Sequence, residues 1–394
     1  PEEFRDSTEN FPGAPTVTAA EIVRVALWYG VAGFGGGYSI LSQLRRDLVE
    51  TRKWLTTEDF FVLAELSKSL PGTAATSMMA LLGQRVGGSK KGALAAAAFL
   101  LPSMALMMVC AAAYGAMRSV THLSVFFDGM NAAMVGVVGA VTLDLGKGAL
   151  HTKRMVAVAC ACAALLVFRV VSEPVLAFAA VSYGVLRGIR DLTIDPNSPG
   201  GDASFALPAA FAGVVAATGS LAALVRVFVP IGIVTFGGGL AMIPAIEHTV
   251  VAEQHWLDAK AFADAVALGQ ITPGPIAICA TFVGWRVAGL LGAIVATVAM
   301  FGPAIALALV AGRYVRRFRT HPVVVHTLHA LGPAVIGMLG AATVSLARAG
   351  EGGFVDVAIA VVTFVLLARV KVSPLWPLLG AGVLRLGLVF FGRG

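Results

Sequence analysis

Long apolar stretches separated by short polar loops make up most of the chain. Long apolar runs occupy residues 92–113, 130–145, 290–312 and 355–368. A helix needs roughly 20 residues, within a range of about 17–25, to cross the hydrocarbon core of a bilayer. Helices also satisfy their own backbone hydrogen bonds where water is absent. The pattern therefore predicts an all-α polytopic membrane protein.

A pattern of glycine, proline and tryptophan occurs twice in the chain. The matching motifs are FGGG at 34–37 and 236–239, WL at 54–55 and 256–257, and PG at 71–72 and 273–274. The offset between the two copies is 202 residues in each case. A repeat of about half the chain, in register inside apolar sequence, is typical of duplicated membrane transporters.

The duplication divides the chain into four parts. They are a flexible N-terminal tail (1–18), a first transporter repeat (19–190), a cytoplasmic linker (191–203) and a second transporter repeat (204–394). Each repeat is predicted to hold about five spans and one interrupted element. The spans are expected at 20–42, 92–114, 125–146, 155–171 and 174–188, and at 221–245, 289–312, 324–347, 354–368 and 373–390. The apolar residues 205–218 are too short to place.

The interrupted element covers residues 58–84 and, in the second repeat, residues 260–284, with Pro-Gly near its middle. Proline removes a backbone donor and clashes with the preceding turn, so a helix breaks there. The element could cross the membrane, or it could turn at Pro-Gly and leave on the side it entered. Basic loops at 43–57 and 85–91 flank the first copy, and basic loops are usually cytoplasmic. The re-entrant alternative is therefore favoured.

The distribution of basic residues also favours opposite orientations for the two repeats. The loops equivalent to 43–57 and 85–91 carry only Lys260 and Arg286 in the second repeat. The bias reverses in the loop after the next span, where the arginines cluster at 313–319. Five spans is an odd number, so the second copy would enter from the other side. The prediction is an inverted-topology repeat.

Three consecutive glycines at 35–37 and again at 237–239 are costly inside a helix. Each glycine costs about 0.8–1.0 kcal/mol relative to alanine. One interpretation is close helix packing through small residues. The other is a broken helix, after which a new half-helix begins with free N–H groups and the positive end of its dipole. Such an end binds anions without a cationic side chain.

Pro-Gly creates a second half-helix start in each repeat, so four starts are expected to converge near the bilayer midplane. They predict a site for a small oxyanion, bound mainly by backbone N–H groups and supplemented by a few polar side chains. The predicted binding residues are Gly35, Gly36, Gly37, Tyr38, Ser39, Lys68, Gly72, Thr73, Thr76, Ser77, Gly237, Gly238, Gly239, Gln270, Thr272 and Gly274.

Few charged residues accompany this region. Lys68 and Glu65 are one turn apart, and their pairing at a membrane surface is one interpretation. In the other, Lys68 neutralises part of a bound dianion and Glu65 carries a coupling proton. Arg85 and Arg286 lie at equivalent positions at the far end of the element. They either snorkel to the headgroups or line the transport pathway.

Composition excludes several other classes. The chain of 394 residues is 58% hydrophobic and 13% charged, whereas soluble domains carry about 25% charged residues. The net charge of +7 lies mostly in short loops and does not indicate nucleic-acid binding. The sequence contains no nucleotide-binding P-loop, no HExxH and no GxSxG motif. Neither an enzyme, a cofactor nor a metal site is predicted.

The motifs resemble those of the chromate ion transporter family in its long, two-domain form. The resemblance covers nearly the whole chain from about residue 19 and rests on doubled motifs, which makes it specific. Besides FGGG and WL, these are LPG at 70–72, TPGP at 272–275, and GxRV at 83–86 and 284–287. One departure is PGT at 71–73 where the second repeat has PGP, so the two halves of the site are not expected to be equivalent.

The resemblance implies a secondary transporter of the bacterial inner membrane that exports chromate under the proton-motive force, with sulfate as a competitor or second substrate. Alternating access would be the mechanism. Sulfate uptake, an anion channel and a membrane scaffold are the alternatives. Expelling a dianion across 100 mV gains about 4.6 kcal/mol, so proton coupling is plausible without being required. Whether protons or another ion are coupled, and whether the protein is a homodimer, stays open.

Overall fold

The computed structural model describes residues 17–33, 36–70, 72–168, 219–234, 239–313, 322–349, 353–370 and 372–392, with three residue pairs between 179 and 187. These residues form helices and turns, and no strand occurs among them. The all-α prediction is thus confirmed for this part of the chain. The predicted linker, residues 205–218, most of the predicted span 174–188 and most of the N-terminal tail lie outside the described residues.

The described helices are distributed over both repeats. The first repeat contains α1 (Ala19–Ala32), α2 (Gly36–Arg45), α3 (Thr57–Ser69), α4 (Ala74–Ser119), α5 (Thr121–Ala149) and α6 (Lys153–Val167). The second contains α7 (Ser220–Val234), α8 (Ile243–Glu247), α9 (Ala259–Ile271), α10 (Cys279–Arg313), α11 (Pro322–Ala349), α12 (Phe354–Val365) and α13 (Leu375–Phe390). Short 3₁₀ turns, Gly239–Met242 and Ile276–Ile278, precede α8 and α10.

The helices have the length and composition of a multi-pass membrane protein. Those long and apolar enough to cross a bilayer are Ala74–Ser119, Thr121–Lys147 and Ile276–Arg313. Shorter apolar helices are Ser220–Ile233, Gly332–Arg348 and Leu375–Phe390. The predicted spans 20–42 and 221–245 are interrupted, because α1 ends at Ala32 and α7 at Val234. Both interruptions fall at the glycine triplets.

The two repeats share an unusual local structure. A π-helical turn follows α2 at Arg46–Thr51, and another follows α8 at His248–Glu253. Shortly after each turn, a non-glycine residue adopts positive φ: Lys53 at 53° and His255 at 52°. Side chains rarely tolerate this conformation. The same irregularity at an offset of 202 indicates that the duplicated sequences fold alike.

Both long helices are sharply bent. The backbone is non-helical at residues 87–88 of α4 and at residues 288–289 of α10. In α10 the Oγ1 atoms of Thr281 and Thr297 are only 2.7 Å apart. In a straight helix these residues would be separated by about 24 Å along the axis. Each long helix is therefore a pair of closely packed antiparallel arms.

The interrupted element of the first repeat is a helical hairpin. Its arms are α3 and residues 74–86 of α4, each about 20 Å long. Asp59 lies near the start of the first arm and Arg85 near the end of the second. Their Oδ1 and Nη2 atoms are 2.9 Å apart. This ion pair shows that the chain turns back at Pro-Gly, because the outer ends of the two arms meet.

Helices of each repeat pack against the other repeat at equivalent positions. A Cβ built on Gly136 of α5 would collide with the carbonyl oxygen of Ala360 in α12. A Cβ built on Gly337 of α11 would lie 2.6 Å from the carbonyl oxygen of Ala159 in α6. Gly337 is the repeat equivalent of Gly136, and Ala360 is the repeat equivalent of Ala159, each at an offset of 201 residues. Such reciprocal contacts are what a two-fold relation between two copies produces.

The equivalent helices α4 and α10 run in opposite directions. A Cβ built on Gly92, near the start of the second arm of α4, would lie 2.6 Å from Cδ2 of Leu309, near the end of α10. Nε2 of Gln84 also donates to the carbonyl oxygen of Leu309, at 2.7 Å. The start of the second arm of α4 therefore lies against the end of α10. Large, fully buried side chains fill the core around these helices, among them Phe99, Phe228, Phe282 and Phe301.

We expect Gly284→Ala to destabilise the protein. A Cβ at residue 284 would collide with the carbonyl oxygen of Gly292 and lie 2.7 Å from Cβ of Ala296. Overpacking of this kind costs about 1–3 kcal/mol, so thermal unfolding in detergent should show a Tm lowered by several degrees. Gly115→Ala is the control, since a Cβ there meets nothing within 4 Å. Equal Tm values for the two variants would contradict the tight packing of the α10 arms.

Candidate functional site

Two Pro-Gly turns form the centre of the candidate site. In the first repeat, Gly72 connects the end of α3 to the start of α4 and has φ of +94°. In the second, Gly274 follows α9 and has φ of +105°. Residues with a Cβ rarely adopt these values, whereas glycine does so readily. Glycine is thus required at the points where the chain reverses.

Each Pro-Gly turn lies against a long helix of the other repeat. A Cβ on Gly72 would overlap the Cβ of Ala304 in α10. A Cβ on Gly274 would lie 2.8 Å from Oγ of Ser103 in α4. Ser103 and Ala304 are equivalent residues, and each directly follows a proline inside its helix. The two turns therefore meet the opposite repeat at matching positions, as convergence at one site requires.

The breaks at the glycine triplets lie beside these turns. The backbone N–H of Gly274 donates to the carbonyl oxygen of Gly33, which caps α1, at 3.1 Å. In the second repeat, a Cβ built on Gly239 would lie 3.3 Å from the backbone nitrogen of Ala277. The helical segment after the second triplet and the one after the second Pro-Gly thus begin side by side. In the second repeat two of the expected helix starts therefore lie together, and the end of α1 lies at the Pro-Gly turn of the other repeat.

The start of α4 offers hydrogen-bond donors in a buried setting. Its N-cap residue, Thr73, makes no side-chain capping bond. Instead, Oγ1 of Thr73 donates to Oγ1 of Thr76 at 2.7 Å. Ser77 is fully buried, and its Oγ has no hydrogen-bond partner among the described residues. A buried polar group without a partner costs about 1–3 kcal/mol, so this hydroxyl is suited to a bound solute.

The second half of the site has a different set of polar groups. Oγ1 of Thr272 donates to the carbonyl oxygen of Gly269 at 3.1 Å. Nε2 of Gln270 is buried and has no partner within the described part of the chain. Gln270 is the repeat equivalent of Lys68, whose Nζ lies 3.2 Å from Oε1 of Glu65. The Lys68 and Glu65 side chains are 35% and 55% exposed, which is the geometry of the surface pair.

Arg85 and Arg286 lie at the far end of the hairpins from the Pro-Gly turns, as their positions predict. Arg85 is held at the base of its hairpin by the ion pair with Asp59. The guanidinium of Arg286 lies 5.8 Å from the ring centroid of Tyr114 in the first repeat. Both arginines thus make structural contacts, one within a repeat and the other between repeats.

The remaining predicted residues are only partly covered by the described ranges. Gly36, Gly37, Tyr38 and Ser39 form the first turn of α2. Gly35, Gly237 and Gly238 lie outside the described residues. Within the ranges described, no group of three His, Cys, Asp or Glu residues is placed to hold a metal ion.

Sequence reasoning missed Asp264, the one charged side chain in the described structure that is fully buried. Its Oδ2 accepts hydrogen bonds from Tyr114 Oη at 2.6 Å and from Arg118 Nε at 2.8 Å. Its Oδ1 accepts from Asn131 Nδ2 at 2.8 Å. The signal in the sequence was a lone carboxylate inside the apolar run 261–269.

An all-helical membrane protein with a duplicated sequence and interrupted helices is typical of membrane transporters. The sequence matches the family described as Chromate transporter, once in each repeat, over residues 20–185 and 222–386. The chain belongs to this family. It is accordingly a transporter and not an enzyme.

Several relatives are similar over most of their length. The chromate transport protein of Cupriavidus metallidurans is 31% identical over 385 residues, which are 96% of this chain and 94% of that protein. The probable chromate transport protein of Synechococcus elongatus is 27% identical over 356 residues, 88% of each chain. The chromate transport protein of Pseudomonas aeruginosa is 28% identical over 355 residues, 87% of this chain and 84% of that protein. No solved structure matches the chain.

We expect Gly72→Ala to lower the Tm through two separable effects. One is contact with Cβ of Ala304, and the other is the positive φ, which costs about 1–2 kcal/mol for a residue with a side chain. Adding Ala304→Gly should relieve only the contact, so the double variant should recover part of the Tm. Ala304→Gly alone is the control. Strict additivity in this double-mutant cycle would show that residues 72 and 304 are not in contact.

Proposed function

We propose that this protein exports chromate from the cytoplasm across the bacterial inner membrane as a secondary transporter working by alternating access. Membership of the chromate transporter family supports the substrate. The observation that carries the mechanism is the position of the two Pro-Gly turns, since each lies against the opposite repeat. A solute bound between these turns would touch both repeats, as alternating access requires.

The proposed site binds its anion mainly through backbone N–H groups. The first amides of α4 and of the 3₁₀ turn Ile276–Ile278 have no partner within their own helices. The amides after the two glycine triplets, at residues 35–39 and 237–239, would complete the set. The unpartnered Ser77 hydroxyl and the Gln270 amide add side-chain donors.

The charge of these helix starts suits a dianion. Each helix N-terminus carries about half an elementary positive charge. Four such ends therefore offer roughly two positive charges, which balances a tetrahedral dianion such as chromate or sulfate. Lys68 lies near the end of α3 and would add a longer-range attraction without contacting the anion. Thr73, Thr76 and Thr272 supply hydroxyl groups to the walls of the site.

We also propose that the two repeats are inserted in opposite orientations. The antiparallel course of α4 and α10 supports this arrangement. The hairpin arms of about 20 Å are shorter than the hydrocarbon core of about 30 Å, which supports a re-entrant element. Inverted repeats allow the inward-facing and outward-facing states to be related by exchanging the conformations of the two halves.

Export is favoured energetically by the membrane potential. Two negative charges moving outward across 100 mV gain about 4.6 kcal/mol when the inside is negative. Uptake of sulfate would have to work against the same potential and would need an inward-moving ion. Proton coupling would increase the concentration ratio that the transporter can sustain.

The decisive experiment measures chromate flux in proteoliposomes containing the full chain, with the pH gradient and the voltage set independently. An exporter shows saturable flux and counterflow of labelled substrate. A channel shows current without counterflow, and a scaffold shows neither. Saturable flux of sulfate alone that requires an inward ion gradient would contradict chromate export and support sulfate uptake.

We expect Ser77→Ala to weaken chromate binding without destabilising the protein. A hydrogen bond to a charged group is worth about 1.5–3 kcal/mol, so the half-saturation concentration should rise roughly tenfold or more. Thermal stability should stay equal or improve, because the hydroxyl has no protein partner to lose. Ser119→Ala, on the same helix but exposed, is the matched control. A lower Tm with unchanged half-saturation would remove Ser77 from the site.

A further inference from the structure

A buried cluster of charged residues lies away from the Pro-Gly turns, at the boundary between the two repeats. Its centre is Asp264, which is 0% exposed and sits about 8 Å along α9 from the first residue of that helix. The donors to its carboxylate are Tyr114 and Arg118 at the end of α4, and Asn131 in α5. Asp264 belongs to the second repeat, and all three donors belong to the first.

Further charges surround this contact. Nη1 of Arg118 donates to Ser124 Oγ at 2.8 Å and to Asp128 Oδ1 at 3.3 Å. Nζ of Lys260 lies 3.1 Å from the same Asp128 oxygen. Arg286 lies over the ring of Tyr114. On α13, beside α5, Arg385 pairs with Asp356 of α12 at 3.3 Å, so its charge is already balanced.

The three hydrogen bonds to the Asp264 carboxylate therefore form only while the repeats are in contact. Two carboxylates, those of Asp264 and Asp128, face Arg118 and Lys260, and among the described residues Asp264 forms its ion pair with Arg118. Alternating access requires the two repeats to move relative to each other. If α9 moves away from α4 and α5, the carboxylate loses all three donors together.

The three donors stabilise the ionised carboxylate, so their loss makes Asp264 easier to protonate. Separation of the repeats at this point and protonation of Asp264 should therefore favour each other, by linkage. When the repeats close again, Arg118 and Tyr114 return and the carboxylate releases the proton. In each cycle one proton is taken up from the aqueous phase to which the contact opens, and coupling requires that it is released to the opposite phase when the contact closes.

We propose that Asp264 is a proton-binding site that couples the proton gradient to the movement of one repeat against the other. The inference rests on the proposed function, since it needs transport by alternating access. It assigns the coupling role to a residue other than Glu65. Glu65 is exposed, and its ion pair with Lys68 lies within a single turn of α3.

The first test compares Asp264→Asn with Asp59→Asn in proteoliposomes. Asp59 is the matched control, because it also forms a short carboxylate–arginine pair, but with Arg85 of the same repeat. The wild type and Asp59→Asn should show chromate flux that is accelerated by a pH gradient. Asp264→Asn should retain slower counterflow and lose the acceleration. Unchanged acceleration in Asp264→Asn would overturn the proposal, and equal loss in both variants would indicate a merely structural ion pair.

A second variant keeps the carboxylate and changes only its surroundings. Tyr114→Phe removes one donor that stabilises the ionised form, so the carboxylate should take up its proton at higher pH. The midpoint of the pH dependence of transport should rise by about one unit. A midpoint that does not move would contradict the assignment. This variant also decides the matter if Asp264→Asn fails to fold.

Infrared spectroscopy of the purified full-length protein provides a readout that does not depend on transport. The carbonyl band of a protonated carboxylic acid should grow as the pH falls, should be missing in Asp264→Asn, and should move to higher pH in Tyr114→Phe. Saturable chromate transport without this band would contradict the proton site and would still support the proposed function. If the band is observed but the protein transports no chromate, the proposed function is contradicted and proton binding at Asp264 is supported.

Discussion

Backbone groups freed by a broken helix have to be satisfied inside the protein when no water is available. This molecule interrupts its helices at the glycine triplets and at the Pro-Gly turns, and the opposite repeat covers Gly72, Gly274 and the end of α1. The N–H of Gly274 bonds to the carbonyl of Gly33, and Gly72 lies against Ala304. The candidate anion site and the interface between the repeats are consequently one structure.

Binding and movement are linked by this arrangement. Elsewhere the repeats meet through close helix packing, as at Gly136 and Gly337, and through isolated hydrogen bonds such as that from Gln84 to Leu309. Apolar packing of this kind has little directional preference. The Asp264 cluster differs, because its hydrogen bonds and ion pair are satisfied in only one arrangement of the two repeats. It is the contact best suited to distinguish one state of the cycle from another.

The two halves are alike in backbone and different in chemistry. Lys68 is matched by Gln270, Thr73 by Pro275 and Val62 by Asp264. Equivalent backbones would let both halves present helix starts to one anion, while the side chains give each half its own charge. In a transporter with identical halves, the protein itself would not distinguish inward from outward transport. The unequal side chains supply such a difference, with the buried carboxylate in the second repeat alone.

The duplication, the helix breaks and the hairpins could be read from the sequence, because glycine and proline act on the backbone within a few residues. The spans expected at 20–42 and 221–245 each contain such a break, with α1 and α7 ending before it. The contacts of Asp264, in contrast, could not be predicted from the local sequence. Its partners lie 133–150 residues away, and an isolated aspartate carries no local sign of which groups will surround it. Contacts between distant helices depend on how the whole set of helices packs, so the tertiary structure alone decided that this carboxylate joins the two repeats.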